Sequence, residues 1–201
     1  MSLSGVVRKN MSLGGASFNQ SSTLTGDGAI VHDVSVDAGE AGDLTTRTDN
    51  DTGVVTVDDS GHSFEQDDRV DLYWDGGCRR GMSVTNVSVN AISIDGGSGD
   101  NLPTQDTDVV LIAPTELDVA VLGTNVQAIL LYTEKLGQFS FCATGPTEHW
   151  QKELGEGKVF IWETGDGSDN PITGDSIVYV YVSHGDAAAA TMRVGVLYNN
   201  E

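Results

Sequence analysis

Apolar residues recur at every second position in short runs, a spacing that lines one face of a β-strand and that a helix of 3.6 residues per turn cannot gather into one stripe. Along residues 191–198, Met192, Val194, Val196 and Tyr198 share a face opposite Arg193 and Gly195. Along residues 138–144, Phe139 and Phe141 align. In residues 158–163, Val159 and Ile161 oppose Phe160 and Trp162. Between the runs stand clusters of Asp, Asn and Ser and many of the 25 glycines, while prolines number only four; this is the punctuation of turns between strands. Helical periodicity is weak throughout. Residues 147–153 (TEHWQKE), where Glu, Gln and Lys gather, predict one short helical turn. The expected fold class is all-β.

Run length and turn chemistry divide the chain. Residues 44–113 hold six short runs (LTTRT, GVVTVD, RVDLYWD, GMSVTNVS, NAISIDG and DVVLIA), with turns at Asp75-Gly76-Gly77 and Asp95-Gly96-Gly97. Short strands and tight turns predict a small β-barrel, SH3-like or similar, of about 70 residues. Residues 114–201 carry about six longer strands and predict an antiparallel β-sandwich or jelly roll. Residues 1–43 form a third segment. Its first 16 or so residues, polar and Gly/Ser-rich with Arg8 and Lys9, read as an extended tail. Two further runs, SFNQSSTLT and AIVHDVSV, either pair with the C-terminal sheet, making the barrel an insertion in one sandwich, or form an arm on a neighbouring subunit. In residues 177–182, Val178, Val180 and Val182 share one face and Ile177, Tyr179 and Tyr181 the other. Apolar character on both faces predicts an interior strand, with its outer side against a second layer or another protomer.

Acidic residues outnumber basic ones 30 to 10, for a formal charge of -20, so little is left to neutralise phosphates. Nucleic acid is not an expected partner. Neither is a membrane: basic amphipathic helices are missing, no apolar run approaches the roughly 18 residues needed to span a bilayer, and the first residues lack a signal-peptide core. Cys78 and Cys142 are 64 positions apart in different segments, so they are expected as thiols made in a reducing host cytoplasm.

Catalytic signatures are equally sparse. G-x-S-x-G, G-x-G-x-x-G and Walker patterns do not occur, His32, His62, His149 and His184 are scattered singly, and no His/Cys group has zinc spacing. Acidic loops at residues 49–51, 95–100 and 166–170 invite a calcium reading but do not follow the EF-hand spacing, so they are expected as turns. No catalytic, cofactor or metal residues are assigned, and an enzyme is not expected. Trp74 and Trp162 lie in strand patterns and read as core. Trp150, beside His149 in a polar stretch, reads with Tyr179 and Tyr181 as a subunit contact.

One segment resembles a known family. Leu44 to Thr48, Gly61-His62, Asp68 to Trp74, Arg80-Gly81-Met82, Ile94 to Gly97 and Gly99 to Pro103 are similar to a pattern in small structural proteins of tailed bacteriophages and prophages, where it runs through a compact β-barrel. The resemblance covers about a third of the chain. It implies a virion component without specifying head or tail.

Two functions are expected from these features. The first is a non-enzymatic virion protein on the particle exterior, a capsid decoration or cement or a head-tail surface protein. Its partners would be itself, with a trimer favoured, and the major capsid or other virion proteins. The second is a carbohydrate- or receptor-binding module of a fibre or tail tip, with Trp150, His149 and the 166–170 loop around the ligand.

Overall fold

A computed structural model describes residues 3–13, 16–58, 61–98, 102–143, 148–165, 167–172 and 176–199, with side chains from residue 26 onward other than 148. The described chain is all-β. Strands β1 (Leu3–Leu13) and β2 (Ala16–Gly26) pair antiparallel, with Leu3 opposite Gly26 and Leu13 opposite Ala16. Residues 3–13 are therefore a paired strand rather than the expected tail, because β2 supplies partners for their backbone groups. Strand β3 (Gly28–Val36) follows and pairs along its whole length with a C-terminal strand.

The chain then leaves that sheet to build a closed barrel. Its strands are β4 (Glu40–Arg47), β5 (Thr52–Val57), β6 (Arg69–Trp74), β7 (Gly77–Val87), β8 (Ala91–Asp95) and β9 (Asp108–Ile112), ordered β4-β5-β8-β7-β6-β9 around the barrel. These are the six runs expected from the sequence, except that β4 starts at Glu40, four residues before the boundary read at Leu44. The added residues close the barrel: Glu40 to Asp43 pair with Leu111 to Asp108 of β9. Gly42 permits the close approach of β4 to β5 on its other side, since a Cβ there would collide with the Thr56 carbonyl oxygen. Leu44, Leu72, Met82, Ile92, Ile94 and Leu111 fill the interior without exposure.

After the barrel come β10 (Thr115–Leu122), a 3-10 turn (Gly123–Asn125), β11 (Val126–Thr133), β12 (Gly137–Cys142), β13 (Glu148–Leu154), β14 (Val159–Glu163), β15 (Ser176–His184) and β16 (Ala190–Tyr198). With β3 they form two four-stranded sheets, β14-β11-β16-β3 and β10-β15-β12-β13. Numbered by their order along the chain, the eight strands run 6-3-8-1 in one sheet and 2-7-4-5 in the other, the interleaved order of a jelly roll. The barrel is thus an insertion between the first and second jelly-roll strands. Phe139, Phe141, Ile129, Leu131, Val180 and Val194 are fully buried between the sheets.

Two local expectations change. The predicted helical turn at 147–153 is strand β13 from Glu148 onward, while residue 147 lies outside the described residues. His149, Gln151 and Glu153 are exposed and alternate with the more buried Trp150, Lys152 and Leu154. Pairing with β12, Phe141 opposite Trp150 and Gly137 opposite Leu154, overrides the modest helix propensity of Glu, Gln and Lys. In β15, an interior strand as expected, Ile177 joins Val180 and Val182 in the core instead of sharing a face with Tyr179 and Tyr181. The cause is a register shift against β10 between Asp118 and Val121, where Ala120 takes a positive φ of 38°.

Candidate functional site

The outer side of the β10-β15-β12-β13 sheet is a seam with the barrel. Val180, Val182, Phe139 and Phe141 point into the jelly-roll core, so their strand neighbours Tyr181, Ser183, Gln138 and Ser140 turn the other way, toward β6 and β7. Ser183 Oγ donates to Asp71 Oδ2 at 2.6 Å. The serine has one proton, so the Tyr73 hydroxyl, 2.7 Å from the same oxygen, is the donor in that second contact. Asp71 also accepts the Gly81 N–H at 2.8 Å. Arg80 Nη1 donates to Gln138 Oε1 at 3.1 Å, and Gln138 Nε2 donates to Glu153 Oε2 at 2.5 Å. Burial, followed by the charge of Asp71, pushes the Tyr73 phenol well above its ordinary value.

Tyr181 belongs to the same seam. The Arg69 guanidinium lies 4.6 Å from its ring centroid, its hydroxyl donates to Glu116 Oε2 at 2.6 Å, and Tyr179 meets it edge-on with centroids 5.8 Å apart. Desolvation first, then the Glu116 hydrogen bond and charge, push the Tyr181 phenol up to about 12. Trp150 lies on the opposite face of the sheet, packed between Phe141 at 5.1 Å and Phe160 at 5.6 Å. The three residues expected as one subunit contact are therefore split: two tyrosines border the barrel, and the tryptophan closes an edge of the core.

A cleft of about 600 Å³ opens where barrel and jelly roll meet, bounded by Trp74, Asp43, Asp58, Asp108, Leu136 and Gly185. Asp43 and Asp108 face each other across β4 and β9. Their hydrogen bond raises the Asp43 pKa, with smaller contributions from desolvation and from the charges of Asp108, Asp58 and Asp106. Carboxyls in hydrogen-bond contact lack the roughly 5 Å or greater separation that glycoside hydrolysis requires.

A different surface stands out on the other sheet. Val31 is 68% exposed, Leu130 36% and Val159 54%. Val31 and Leu130 flank Gly195 in one cross-strand row, and the missing side chain leaves a trough of about 230 Å³ whose floor is almost wholly apolar. An ion pair between Arg193 and Asp33 borders it. The signal for this face was present in VQAILLYT, which is apolar on both sides: Ile129 and Leu131 enter the core, leaving Leu130 outside.

The remaining polar candidates serve the fold. Asp49 Oδ1 accepts the Asp51 and Thr52 N–H groups, Asp95 Oδ1 accepts that of Gly97, and Asn170 Oδ1 accepts that of Ile172. Asp100 and Asp166 lie outside the described residues. Among the described residues no group of three or more His, Cys, Asp or Glu is arranged to hold a metal ion. His32, His62 and His184 each reach a backbone carbonyl, of Asp118, Ser88 and Val36, and do not converge. Cys78 in β7 and Cys142 in β12 form no disulfide.

The chain matches no protein-family model, no curated protein and no solved structure.

Proposed function

We propose that the chain is a non-enzymatic structural subunit that works by repeated self-association, and that it decorates or cements the exterior of a tailed-phage virion. The observation that carries the first part is the apolar outer face around Val31 and Leu130. In a chain of charge -20, copies repel one another unless a surface of low charge brings them together. Removing apolar area from water there contributes about 25 cal/mol per Å² before ordering costs. The virion assignment draws on the resemblance within residues 44–113 and, as an analogy of fold alone, on the use of jelly rolls in capsid domains. The proposed partners are further copies of the chain and the virion proteins beneath them.

Light scattering on the full chain should report an assembly of fixed stoichiometry, a trimer in this reading, and a monomer throughout the micromolar range would overturn self-association. An antibody against the chain should label the outside of tailed particles from its source, and particles left bare would remove the virion assignment. The carbohydrate-binding alternative has less support, because Trp150 faces the core and Asn170 is committed to its own turn and to the Gly123 carbonyl. Glycan binding that is lost on chelation would favour it.

A further inference from the structure

We propose that the Asp75-Gly76 turn is a site of spontaneous covalent modification, where the aspartyl linkage converts to isoaspartyl through a succinimide, and that the fold directs this ageing there by holding other Asp-Gly pairs in place.

The reaction needs a carboxyl group followed by an unhindered amide. The Gly76 nitrogen attacks Asp75 Cγ, the N–Cγ bond forms, and the amide proton leaves with the carboxyl hydroxyl as water. Solvent water then opens the succinimide ring. Cleavage on the Cγ side restores aspartate. Cleavage at the backbone carbonyl carries the chain onward through the side chain, with one more methylene in the backbone and no change in composition. Glycine is the favoured neighbour because no Cβ shields its nitrogen. Asn-Gly does not occur in the sequence, and Asp-Gly occurs at Asp27, Asp75, Asp95 and Asp166. Asp166 lies outside the described residues. The other three pairs differ in what holds them.

Ring closure requires the peptide unit between the two residues to turn until its nitrogen faces the carboxyl carbon. At Asp95 hydrogen bonds oppose that turn. Asp95 Oδ1 accepts the Gly97 N–H at 2.7 Å, the Gly96 N–H donates to the Asp51 carbonyl at 2.9 Å, and the Gly96 carbonyl accepts from Arg79 Nη2 at 2.8 Å. Bonds that must break before the ring can form add to the barrier. At Asp27 the sheet has the same effect. The Asp27 N–H donates to the Tyr198 carbonyl at 2.9 Å, Gly28 is paired with Tyr198, and the tyrosine ring fills the space that a Cβ on Gly28 would take.

Asp75 and Gly76 stand free of such ties. Both are exposed at the tip of the β6–β7 hairpin, and a Cβ on Gly76 would meet nothing within 4 Å. Among the described residues, neither the Asp75 carboxylate nor the Gly76 N–H makes a hydrogen bond. Trp74 pairs with Gly77 just below the tip, so the peptide unit above can turn while the ladder stays intact. The product lengthens this two-residue loop at the mouth of the cleft, beside Trp74.

The test is incubation of the full-length chain at neutral pH, folded and in guanidinium chloride. A methyltransferase that labels isoaspartyl carboxylates detects the product, and peptide mapping locates it. In the denaturant Asp27, Asp75 and Asp95 should convert at similar rates, because the contacts that distinguish them are gone. In the folded chain Asp75 should convert at least about tenfold faster than Asp27 or Asp95, a barrier difference of about 1.4 kcal/mol. Asp75→Glu, whose longer side chain would have to close a larger ring, should remove the label from the folded peptide containing residues 75 and 76. Folded-state conversion at Asp27 or Asp95 that keeps pace with Asp75 would overturn the proposal. So would an Asp75 that converts in denaturant but not in the folded chain, since the fold would then protect this turn as well.

Discussion

The Tyr73 hydroxyl lies 2.7 Å from Ser183 Oγ, joining a barrel strand to a jelly-roll strand 110 positions away. Ser183 passes its own proton toward Asp71, a carboxylate only 3% exposed. Buried charge is tolerated where hydrogen bonds replace water, so this chain of donors sets how the inserted barrel sits on the sheet.

Ser183→Ala removes one of the donors to Asp71 and should cost about 1–3 kcal/mol, whereas Tyr73→Phe, which leaves the Ser183–Asp71 bond in place, should cost about 0.5–1.5 kcal/mol. Urea denaturation would read both. Equal midpoints for Ser183→Ala and the wild type would show that the seam does not depend on this bond.

The Asp43 carboxyl is held above the usual carboxylate range by its hydrogen bond to Asp108, then by desolvation and neighbouring acids. A raised folded-state pKa supplies stability below the unfolded value, near pH 4, and that stability is lost as pH rises through the folded value. At neutral pH the carboxylate therefore opposes folding. Asp43→Asn should melt higher than the wild type at pH 7, with the gap closing below about pH 4. A lower melting temperature at pH 7 would mean that an attraction holds the charge.

Tyr181 gives an alkaline counterpart. Its phenol is pushed up to about 12, chiefly by desolvation and then by Glu116, so a tyrosine that ionises near 10 in the unfolded chain resists doing so in the folded one. Stability from this group is complete below about pH 10 and declines as pH rises toward 12. Ultraviolet titration should show a phenolate wave near 12 that Tyr181→Phe abolishes, and an unchanged wave in that variant would refute the assignment.

Trp150 packs between Phe141 and Phe160 on strand β13. Trp150→Ala should cost about 2–3 kcal/mol, below the usual range for a buried tryptophan because the residue is half-exposed. Thermal melting would measure the loss, and light scattering should find the assembly state unaltered. Dissociation without loss of stability would restore Trp150 as a subunit contact.

Part of this architecture is legible in local sequence. Val70, Leu72 and Trp74 alternate along β6, and Asp75-Gly76 between Trp74 and Gly77 turns the chain into β7, Gly76 taking a φ of 88°. In the amino-terminal hairpin the second strand is legible in the run SFNQSSTLT, but the serines, glycines and charged pair of the first 16 residues dilute the pattern and make the first strand read as a tail. The trough is harder to read, because Leu130 and Leu131 are chemically alike and only the register of β11 decides which enters the core. Nothing local marks Asp71, Tyr73 and Ser183 as one group, since they converge only when two folded units meet.

The sequence by itself determined the all-β class, the six barrel strands and most strands of the jelly roll, because side-chain alternation and turn chemistry act over a few residues. Tertiary structure decided the rest. It chose β16 as the partner of β3, added Glu40 to Asp43 to close the barrel, and made residues 148–154 a strand rather than a helical turn. The physical reason is that a strand satisfies its backbone hydrogen bonds with whichever distant segment the packed core brings beside it.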